Sequence, residues 1–486
     1  MIAAALWCGV AGAASLDLLE VGGAYGTPNT DGGTAAWWNP AAFATGDGLQ
    51  VHAEAAPFMG GVRFERDDPH GGYDEYHTVA TIPYVGVSYD LNRDDFGIGA
   101  AFGVPFGRGG QAICEPGYEG GLLDVWGDGP ESCTDDAGAG RYHMRTGASE
   151  AYYAMVGAAW RPLDQLAVGA VISVVHSRWY AYLDSETLPD LEAAIHALGE
   201  ETHYTDDDLE DPDYASTLET QGYLTDTRMS FAVGVKVMPD PEDRVQLSLT
   251  YHHGVTLEHT GDVRILIGCP PQDDAIGRFG SESYGLCDDL LSADMSVSYR
   301  LPNRVHGGVA VTPVDAVRVE LMGGWVNWSV YQDFSIQISD VAAQNPDINP
   351  EAAHLVEKEQ LWARDVEDSI WGAVDVKATL ARGWLTLGGR VLFDRAGVPD
   401  HALSPNNYDA NTATLTGMAA LHILPVNLDV LVSYGYSIIG ERTVSDSAFD
   451  VTLGADRHEE RWYYPHANGT YTGWTHRAGL AVRWTF

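Results

Sequence analysis

The sequence predicts an all-β fold, a closed barrel of fourteen antiparallel strands that crosses a membrane. Three observations support this prediction: strand-length segments alternate between apolar and polar residues, short and long connections alternate along the chain, and no apolar run of about 18 residues follows the N-terminus. Because the third observation excludes a membrane-spanning helix, any crossing of the membrane must be made by strands.

The last strand, residues 473–486, shows the alternation most clearly. One of its faces is small or charged, and the other is apolar and ends in aromatic residues. The apolar face consists of Trp474, His476, Ala478, Leu480, Val482, Trp484 and Phe486. An apolar face toward lipid and a polar face toward a lumen is typical of a barrel in a membrane. A half-buried strand of a soluble sandwich would give the same local pattern, so the rest of the chain must decide.

The connections favour the barrel. Six are tight, and several of them carry the Pro or Asp that turns prefer; they lie at 91–95, 161–165, 238–243, 312–315, 380–383 and 424–427. Seven long ones lie between them, at 65–76, 107–148, 184–228, 257–293, 333–368, 395–411 and 441–472. Short periplasmic turns and long extracellular loops are how outer-membrane barrels are built. The count gives fourteen strands if Leu301, Pro302 and Asn303 form a bend within one strand.

Composition limits the partners. Acidic residues outnumber basic ones by 69 to 27, which gives a formal charge of −42 and argues against a nucleic-acid partner. The 24 Tyr and 14 Trp residues suit a barrel with aromatic girdles at two membrane surfaces. Twelve carboxylates lie between Asp184 and Asp213 with no Lys or Arg among them. We interpret this stretch as a solvated acidic surface that could bridge to lipopolysaccharide through divalent ions; specific calcium binding is the alternative.

The sequence divides into three regions. Residues 1–14 resemble the end of a signal peptide whose true start lies upstream, residues 15–48 form a Gly- and Ala-rich segment without strand or helix periodicity, and residues 49–486 form the barrel. Four cysteines form two local pairs, Cys114 with Cys133 and Cys269 with Cys287. Since an exported protein meets an oxidising compartment, we predict two disulfides that close loops.

Four short motifs, taken together and in order, resemble the FadL family of outer-membrane transporters of hydrophobic compounds. They are Asn39-Pro40-Ala41, preceded by a Gly-rich run at 22–26; Gly103-Val104-Pro105-Phe106-Gly107; Leu301-Pro302-Asn303; and Trp325-Val326-Asn327-Trp328-Ser329. The resemblance is spread over residues 22–486, and the strand count agrees with it.

The resemblance implies a barrel that is plugged by its N-terminal segment, with Asn39, Pro40 and Ala41 in this hatch. It implies passive uptake of a hydrophobic small molecule, long-chain fatty acid first, by a monomer in the bacterial outer membrane without a cofactor. The substrate would leave sideways through the wall where the third strand kinks, at Gly103, Pro105 and Gly107. Pro removes a ladder donor and Gly permits irregular backbone, so the wall should be weakest there.

Four basic residues should face the lumen by alternation and could pair with a substrate carboxylate: Lys236, Arg390, Arg477 and Arg483. They could equally neutralise lumenal Asp or Glu. For the adjacent pair His252 and His253, alternation allows only one of the two rings inside the barrel.

Enzyme motifs are missing from the sequence, which contains no Gly-x-Ser-x-Gly, no Walker A motif and no His-Glu-x-x-His. We therefore expect a protein that is not an enzyme and that holds no metal. Three alternatives remain open: an importer of aromatic or alkane hydrocarbons, a surface receptor or adhesin that transports nothing, and a barrel hydrolase. The hydrolase would need a Ser or Asp within hydrogen-bond reach of a His on the same face.

Overall fold

The computed structural model describes residues 21–67, 72–91, 93, 95–112, 146–186, 215–240, 242–266, 290–344, 359–363, 365–405, 408–447 and 467–486. Several predictions concern residues outside these ranges: the leader at 1–14, both disulfides (Cys114, Cys133, Cys269 and Cys287) and most of the acidic stretch.

Strands make up most of the described chain. They are β1 (Leu49–Arg66), β2 (Tyr73–Tyr89), β3 (Phe96–Ala112), β4 (Thr146–Leu163), β5 (Leu166–Glu186), β6 (Ala215–Thr220), β7 (Leu224–Val237), β8 (Val245–His252), β9 (Thr256–Leu266), β10 (Leu290–Arg300), β11 (Arg304–Val314), β12 (Val317–Val326), β13 (Asp333–Ala343), β14 (Glu359–Ala363), β15 (Ser369–Leu380), β16 (Leu385–Asp394), β17 (Thr412–Ile423), β18 (Leu428–Ile439), β19 (Arg442–Val444) and β20 (Gly469–Thr485). One α-helical turn, α1, spans Ala35–Trp38. Short 3₁₀ turns span Pro40–Ala44, Trp328–Val330, Ala381–Gly383, Asp400–Ala402 and Leu424–Val426.

The strands close on themselves. β1 pairs with β2 on one side and with the last strand, β20, on the other, and both ladders are antiparallel. The other described strands are joined by antiparallel ladders, in which β8 pairs with β11 and β12 with β15, until β18 and β19 meet β20. The prediction of a closed, antiparallel, all-β barrel is confirmed.

The predicted strand number is wrong. The described residues form twenty strand segments, of which sixteen are ten residues or longer and four (β6, β8, β14 and β19) are shorter. There are thus sixteen long strands where fourteen were predicted. The two additional ones arise because residues 301–303 separate β10 from β11 and residues 327–332 separate β12 from β13. Sequence alternation continues across both breaks, so it could not reveal them.

The two ends of the barrel differ. Each of the six predicted tight turns connects two strands at one end, which we call the turn end. The longer connections lie at the other end, the loop end. Strands reach further into them than predicted, since β6, most of β9 and all of β13 fall within ranges assigned to long loops.

The outer surface of the wall is apolar. Large hydrophobic side chains are exposed along the outward face of nearly every long strand; Met229 (67 % exposed), Val156 (63 %) and Leu321 (62 %) are examples. In β20 the outward face carries Leu480, Val482 and Trp484, as the alternation predicted. No helix among the described residues is long and apolar enough to cross a membrane.

Residues 21–48, the inner segment, precede β1 and are largely buried. The segment contains α1 and the 3₁₀ turn at Pro40–Ala44, and the side chains of Trp37, Trp38 and Phe43 are at most 2 % exposed. Its contacts, described below, reach inward-facing groups on strands from β1 to β18. These contacts place the segment at the centre of the described structure.

Candidate functional site

The Asn39-Pro40-Ala41 motif fixes the inner segment to the wall. Asn39 Oδ1 accepts a hydrogen bond from the Ala41 backbone N–H (3.1 Å), which caps the following 3₁₀ turn, and Asn39 Nδ2 donates to the Val235 carbonyl of β7 (3.0 Å). Only glycine fits beside the motif. A Cβ atom at Gly169 of β5 would lie 2.5 Å from the Pro40 carbonyl, and one at Gly234 would lie 2.1 Å from Asn39 Oδ1.

Buried ionisable residues hold the start of the inner segment. Glu320 of β12 accepts hydrogen bonds from Thr27 Oγ1 (2.8 Å), the Asn29 backbone N–H (3.2 Å) and Asn29 Nδ2 (3.0 Å). On β16, the Arg390 guanidinium donates to the carbonyls of Ala24 (2.7 Å) and Gly26 (3.1 Å). Hydrogen bonds to charged groups are the stronger kind, so these contacts position residues 24–29 firmly.

Three of the four basic residues predicted for the lumen are paired with aspartates. Lys236 Nζ donates to Asp31 (2.5 Å), Arg390 Nη2 to Asp375 (3.0 Å) and Arg483 Nε to Asp429 (2.8 Å). The fourth, Arg477, lies on β20 opposite Phe58 of β1 and Gly435 of β18. Lys236 and Arg390 also hold the inner segment, a role that the sequence did not reveal.

A gap interrupts the wall between β2 and β3. Their ladder stops at Tyr84 opposite Gly103 and resumes at His77 opposite Gln111. Residues 78–83 of β2 and 104–110 of β3, all described, therefore do not pair with each other. The β3–β4 ladder has a bulge between Gly103 and Phe106, where β3 carries one extra residue. Pro105 has no N–H to donate, which suits it to this place. Gly103, Pro105 and Gly107 all lie at this gap or its edge.

The side chain of Val104 lies in an apolar cluster at the gap. Val104 is 1 % exposed and packs in an apolar cluster with Ala56, Phe58 and Ile82, against which Tyr152 also packs. Phe58 and Ile82 belong to the inward faces of β1 and β2, whereas Tyr152 stacks on the outward-facing Phe102. Val104 thus connects the interior of the barrel with its outer surface.

An aromatic and basic cluster lies inside the barrel near the gap. Arg304, 2 % exposed, has its guanidinium carbon 5.3 Å from the ring centroids of both Trp37 and Phe106. The His252 ring lies 4.4 Å from Trp37 and 5.1 Å from His306, whose Nε2 donates to the Trp38 carbonyl (2.7 Å).

The sequence analysis missed Arg304 as a lumenal cation. It follows the Leu301-Pro302-Asn303 break, where the face on which a residue lies cannot be read from alternation. The prediction for the histidine pair is confirmed, since His252 lies inside while His253 stacks on the outward-facing Phe231 (4.8 Å).

The interior on the loop side of this cluster is apolar. Inward-facing residues of β9, β10 and β13 form one hydrophobic cluster with residues of the inner segment: Leu257, Val263, Ile265, Leu291, Met295, Val297, Ile336 and Ile338, together with Trp37 and Phe43. The lumen of a water-filled porin is polar, so an apolar interior suits apolar cargo.

The Trp325–Ser329 motif is held by a single carboxylate. Asp368 accepts hydrogen bonds from Trp325 Nε1 (3.0 Å), Asn327 Nδ2 (3.0 Å) and the Ser329 backbone N–H (2.9 Å). Burial alone would raise the pKa of Asp368, but the hydrogen bonds from Ser329, Asn327 and Trp325 outweigh burial and hold its pKa below the usual range. Trp328 is thereby placed 6.2 Å from Phe106, edge to face.

Comparison with known proteins identifies the fold. The structure is similar to that of a Pseudomonas aeruginosa FadL homologue, with a TM-score of 0.71 over 98 % of both chains at 14 % identity. It is also similar to the toluene transporter TodX of P. putida (TM-score 0.59, 94 % of each chain, 12 % identity) and to the toluene transporter TbuX of Ralstonia pickettii (TM-score 0.56, 95 % and 96 %, 13 % identity). No protein-family model and no curated protein sequence matches the chain. The expected resemblance to the FadL family is confirmed at the level of the fold.

Proposed function

We propose that this barrel lies in a bacterial outer membrane and admits hydrophobic small molecules by passive diffusion. The observation that carries the proposal is the gap between β2 and β3, because it joins an apolar interior to the apolar outer surface. A substrate would enter from the loop end, bind in the interior and leave sideways past Val104. The similar solved structures include two toluene transporters, which supports the same conclusion.

In this proposal the inner segment is the plug. Its contacts with Glu320 and Arg390 would keep the direct route to the turn end closed, so that the substrate leaves through the wall. Burial in the interior supplies affinity, at about 0.8 kcal/mol for each methylene removed from water. The route needs no cofactor and no energy source. We expect a monomer whose outer surface contacts lipid and lipopolysaccharide.

Long-chain fatty acids remain the first candidate substrate. The Arg304 cluster supports them, because it places a guanidinium among the aromatic rings beside the gap. Aromatic hydrocarbons are the second candidate. Three of the four predicted cations already bind aspartates, and solved structures with this fold include toluene transporters. The lateral gap argues against a receptor or adhesin that transports nothing.

The test is mass spectrometry of small molecules extracted from the protein purified in mild detergent, after exposure to candidate substrates. Enrichment of fatty acids on the wild type would support fatty acids as the substrate. Enrichment of neutral hydrocarbons would change the proposed substrate class but not the proposed route through the barrel. If only detergent and bulk phospholipid are recovered, the receptor alternative is favoured.

A double variant, Pro105→Ala with Gly107→Ala, tests the exit. The alanine at 105 restores a backbone N–H that can donate to a neighbouring strand, and the alanine at 107 restricts the backbone. Uptake of the substrate into cells or liposomes should therefore fall, while the protein still binds the substrate. Unchanged uptake would argue against this exit.

A further inference from the structure

Five inward-facing side chains form a hydrogen-bonded row near the turn end. Thr379 of β15 bonds Thr386 of β16 (Oγ1 to Oγ1, 3.1 Å), and Thr386 Oγ1 bonds His422 Nε2 of β17 (2.8 Å). His422 Nδ1 forms a hydrogen bond with Asp429 Oδ1 of β18 (2.6 Å), and Arg483 Nε of β20 donates a hydrogen bond to Asp429 Oδ2 (2.8 Å). Thr379 lies directly opposite Thr386, His422 opposite Asp429, and Asp429 opposite Arg483. The register of the barrel thus creates the row.

The partners fix where the hydrogens lie. A carboxylate can only accept, so His422 Nδ1 carries the hydrogen that Asp429 binds. In a neutral imidazole, Nε2 then holds a lone pair and accepts the hydroxyl hydrogen of Thr386. This arrangement of hydroxyl, imidazole and carboxylate is the one that lets histidine remove a proton from a nucleophilic hydroxyl.

The other hydroxyl–histidine contact in the described interior lacks this arrangement. Ser177 Oγ lies 2.8 Å from His259 Nε2, but it donates its single hydrogen to the Glu150 carbonyl (2.8 Å). His259 must therefore donate to Ser177 and cannot act as its base. In the described interior, the turn-end row supplies a hydroxyl that donates to a histidine held by a carboxylate, with Thr386 in the place where the sequence analysis expected a Ser or Asp.

The row borders a cavity that a substrate could enter. The cavity, the turn-end pocket, has a volume of about 750 Å³ and is lined by residues of the row (Thr379, Thr386, His422, Asp429 and Arg483) and by turn residues such as Leu424 and Asn427. Lys377, two residues before Thr379 on the same strand, also lines it, with its Nζ 3.4 Å from Asp375 Oδ1. Small ligands occupy pockets of this size.

We propose that Thr386, His422 and Asp429 are a nucleophile, a general base and its orienting acid, and that the turn-end pocket hydrolyses small carboxylic esters. This activity goes beyond the proposed uptake function and does not depend on it. A search of the sequence for enzyme motifs could not find these three residues, because they come from three different strands.

The reaction balances without a cofactor. Thr386 Oγ1 attacks the ester carbonyl carbon, His422 Nε2 takes the hydroxyl proton, and the alkoxide leaves with that proton when the carbon–oxygen bond breaks. Water then attacks the resulting threonine ester, again giving its proton to His422. The acid is released, and the proton returns to Thr386. Asp429 stabilises the imidazolium formed in each half, and Lys377 is the candidate partner for the oxyanion.

The test is hydrolysis of p-nitrophenyl butyrate by the purified full-length protein, measured against a detergent blank. We expect the wild type to exceed the blank and Thr386→Val, which keeps the shape but removes the hydroxyl, to fall to it. His422→Gln should also fall to the blank, and Asp429→Asn should lose about 100-fold or more. Thr386→Ser should restore activity. The wild-type peptide containing residue 386 should carry a butyryl group after rapid acid quenching.

The control is Thr414→Val, which removes another inward-facing threonine hydroxyl bonded across strands, here to Ser437 (2.9 Å). It should keep the wild-type rate. Folding of each variant is checked by its heat-dependent shift on a gel, so loss of activity is not confused with loss of the barrel. A wild-type rate equal to the blank, or equal rates for wild type and Thr386→Val, would overturn the proposal. Uptake measured on the same variants should not change, which separates this proposal from the transport function.

Discussion

Val104 packs against Ile82 where the ladder between β2 and β3 is missing. At this place the two strands lack backbone hydrogen bonds to each other, and an apolar cluster that includes Val104 lies between the interior and the outer surface. Truncating that side chain should change passage through the wall more than it changes the barrel.

Val104→Ala should therefore increase the uptake rate of a hydrophobic substrate by several-fold, because it leaves space in the gap at a cost of about 1–3 kcal/mol in packing. The measurement is uptake of a fluorescent fatty acid and of toluene into liposomes that contain the protein. Val85→Ala is the matched control, since Val85 lies on the outward face of β2 where pairing with β3 is complete. Equal effects of the two substitutions would contradict a gating role for Val104.

Gly169→Ala should displace the inner segment. Its Cβ would lie 2.5 Å from the Pro40 carbonyl, so backbone must shift. We expect faster hydrogen exchange in residues 35–45 by mass spectrometry. Gly417→Ala provides the control, because a Cβ there meets no described heavy atom within 4 Å. The same exchange profile in both variants would show that the close contact at Gly169 does not matter.

Glu320→Gln should loosen residues 24–31. All three groups that bind the Glu320 carboxylate from the inner segment donate to it, and Arg318 Nη2 lies 3.6 Å from Oε2; the neutral amide would lose the charge that strengthens these contacts. The expected loss is about 1–3 kcal/mol in unfolding free energy, with new ion conductance in planar bilayers. Glu367→Gln, in an exposed pair with Arg395, should leave both unchanged. If Glu320→Gln changed neither the unfolding free energy nor the ion conductance, Glu320 would not be what holds residues 24–31 in place.

Asp368 should make stability pH-dependent. Hydrogen bonds lower its pKa below the unfolded value of 3.8, so its stabilising effect is complete above that value and is lost as pH falls through the lowered pKa. The unfolding free energies of wild type and Asp368→Asn in denaturant should differ at about pH 6, and the difference should shrink as the pH falls below 3.8. A difference that stays constant over this range would mean that the charge of Asp368 is not involved.

Alternation was sufficient to predict the faces of the strands. Leu480, Val482 and Trp484 are exposed on the outer surface, and His252 and His253 point to opposite sides, because the period of a strand depends only on backbone geometry. The turns were also correct, since Pro, Asp and Asn at 424–427 and elsewhere fix local backbone angles.

Partners between distant strands could not be predicted. Alternation placed Lys236 and Arg390 inside but could not show that Asp31 and Asp375 neutralise them, because those contacts depend on barrel register. The breaks at 301–303 and 327–332 interrupt the strands without a change in the apolar and polar pattern of the sequence. That pattern therefore revealed neither the additional strands nor the inward position of Arg304. The row from Thr379 to Arg483 was missed for the same reason.

The pairing of β1 with β20 bears on how the barrel is assembled. The inner segment is synthesised first, yet the ladder that completes the wall around it needs the last strand of the chain. We expect residues 21–48 to associate with the sheet while it is still open, before the seam between β1 and β20 forms. Charged and hydrogen-bonded contacts to β7, β12 and β16 are available before that seam forms. They can retain the segment during biogenesis, and a barrel that closes without it has no simple route for inserting it later.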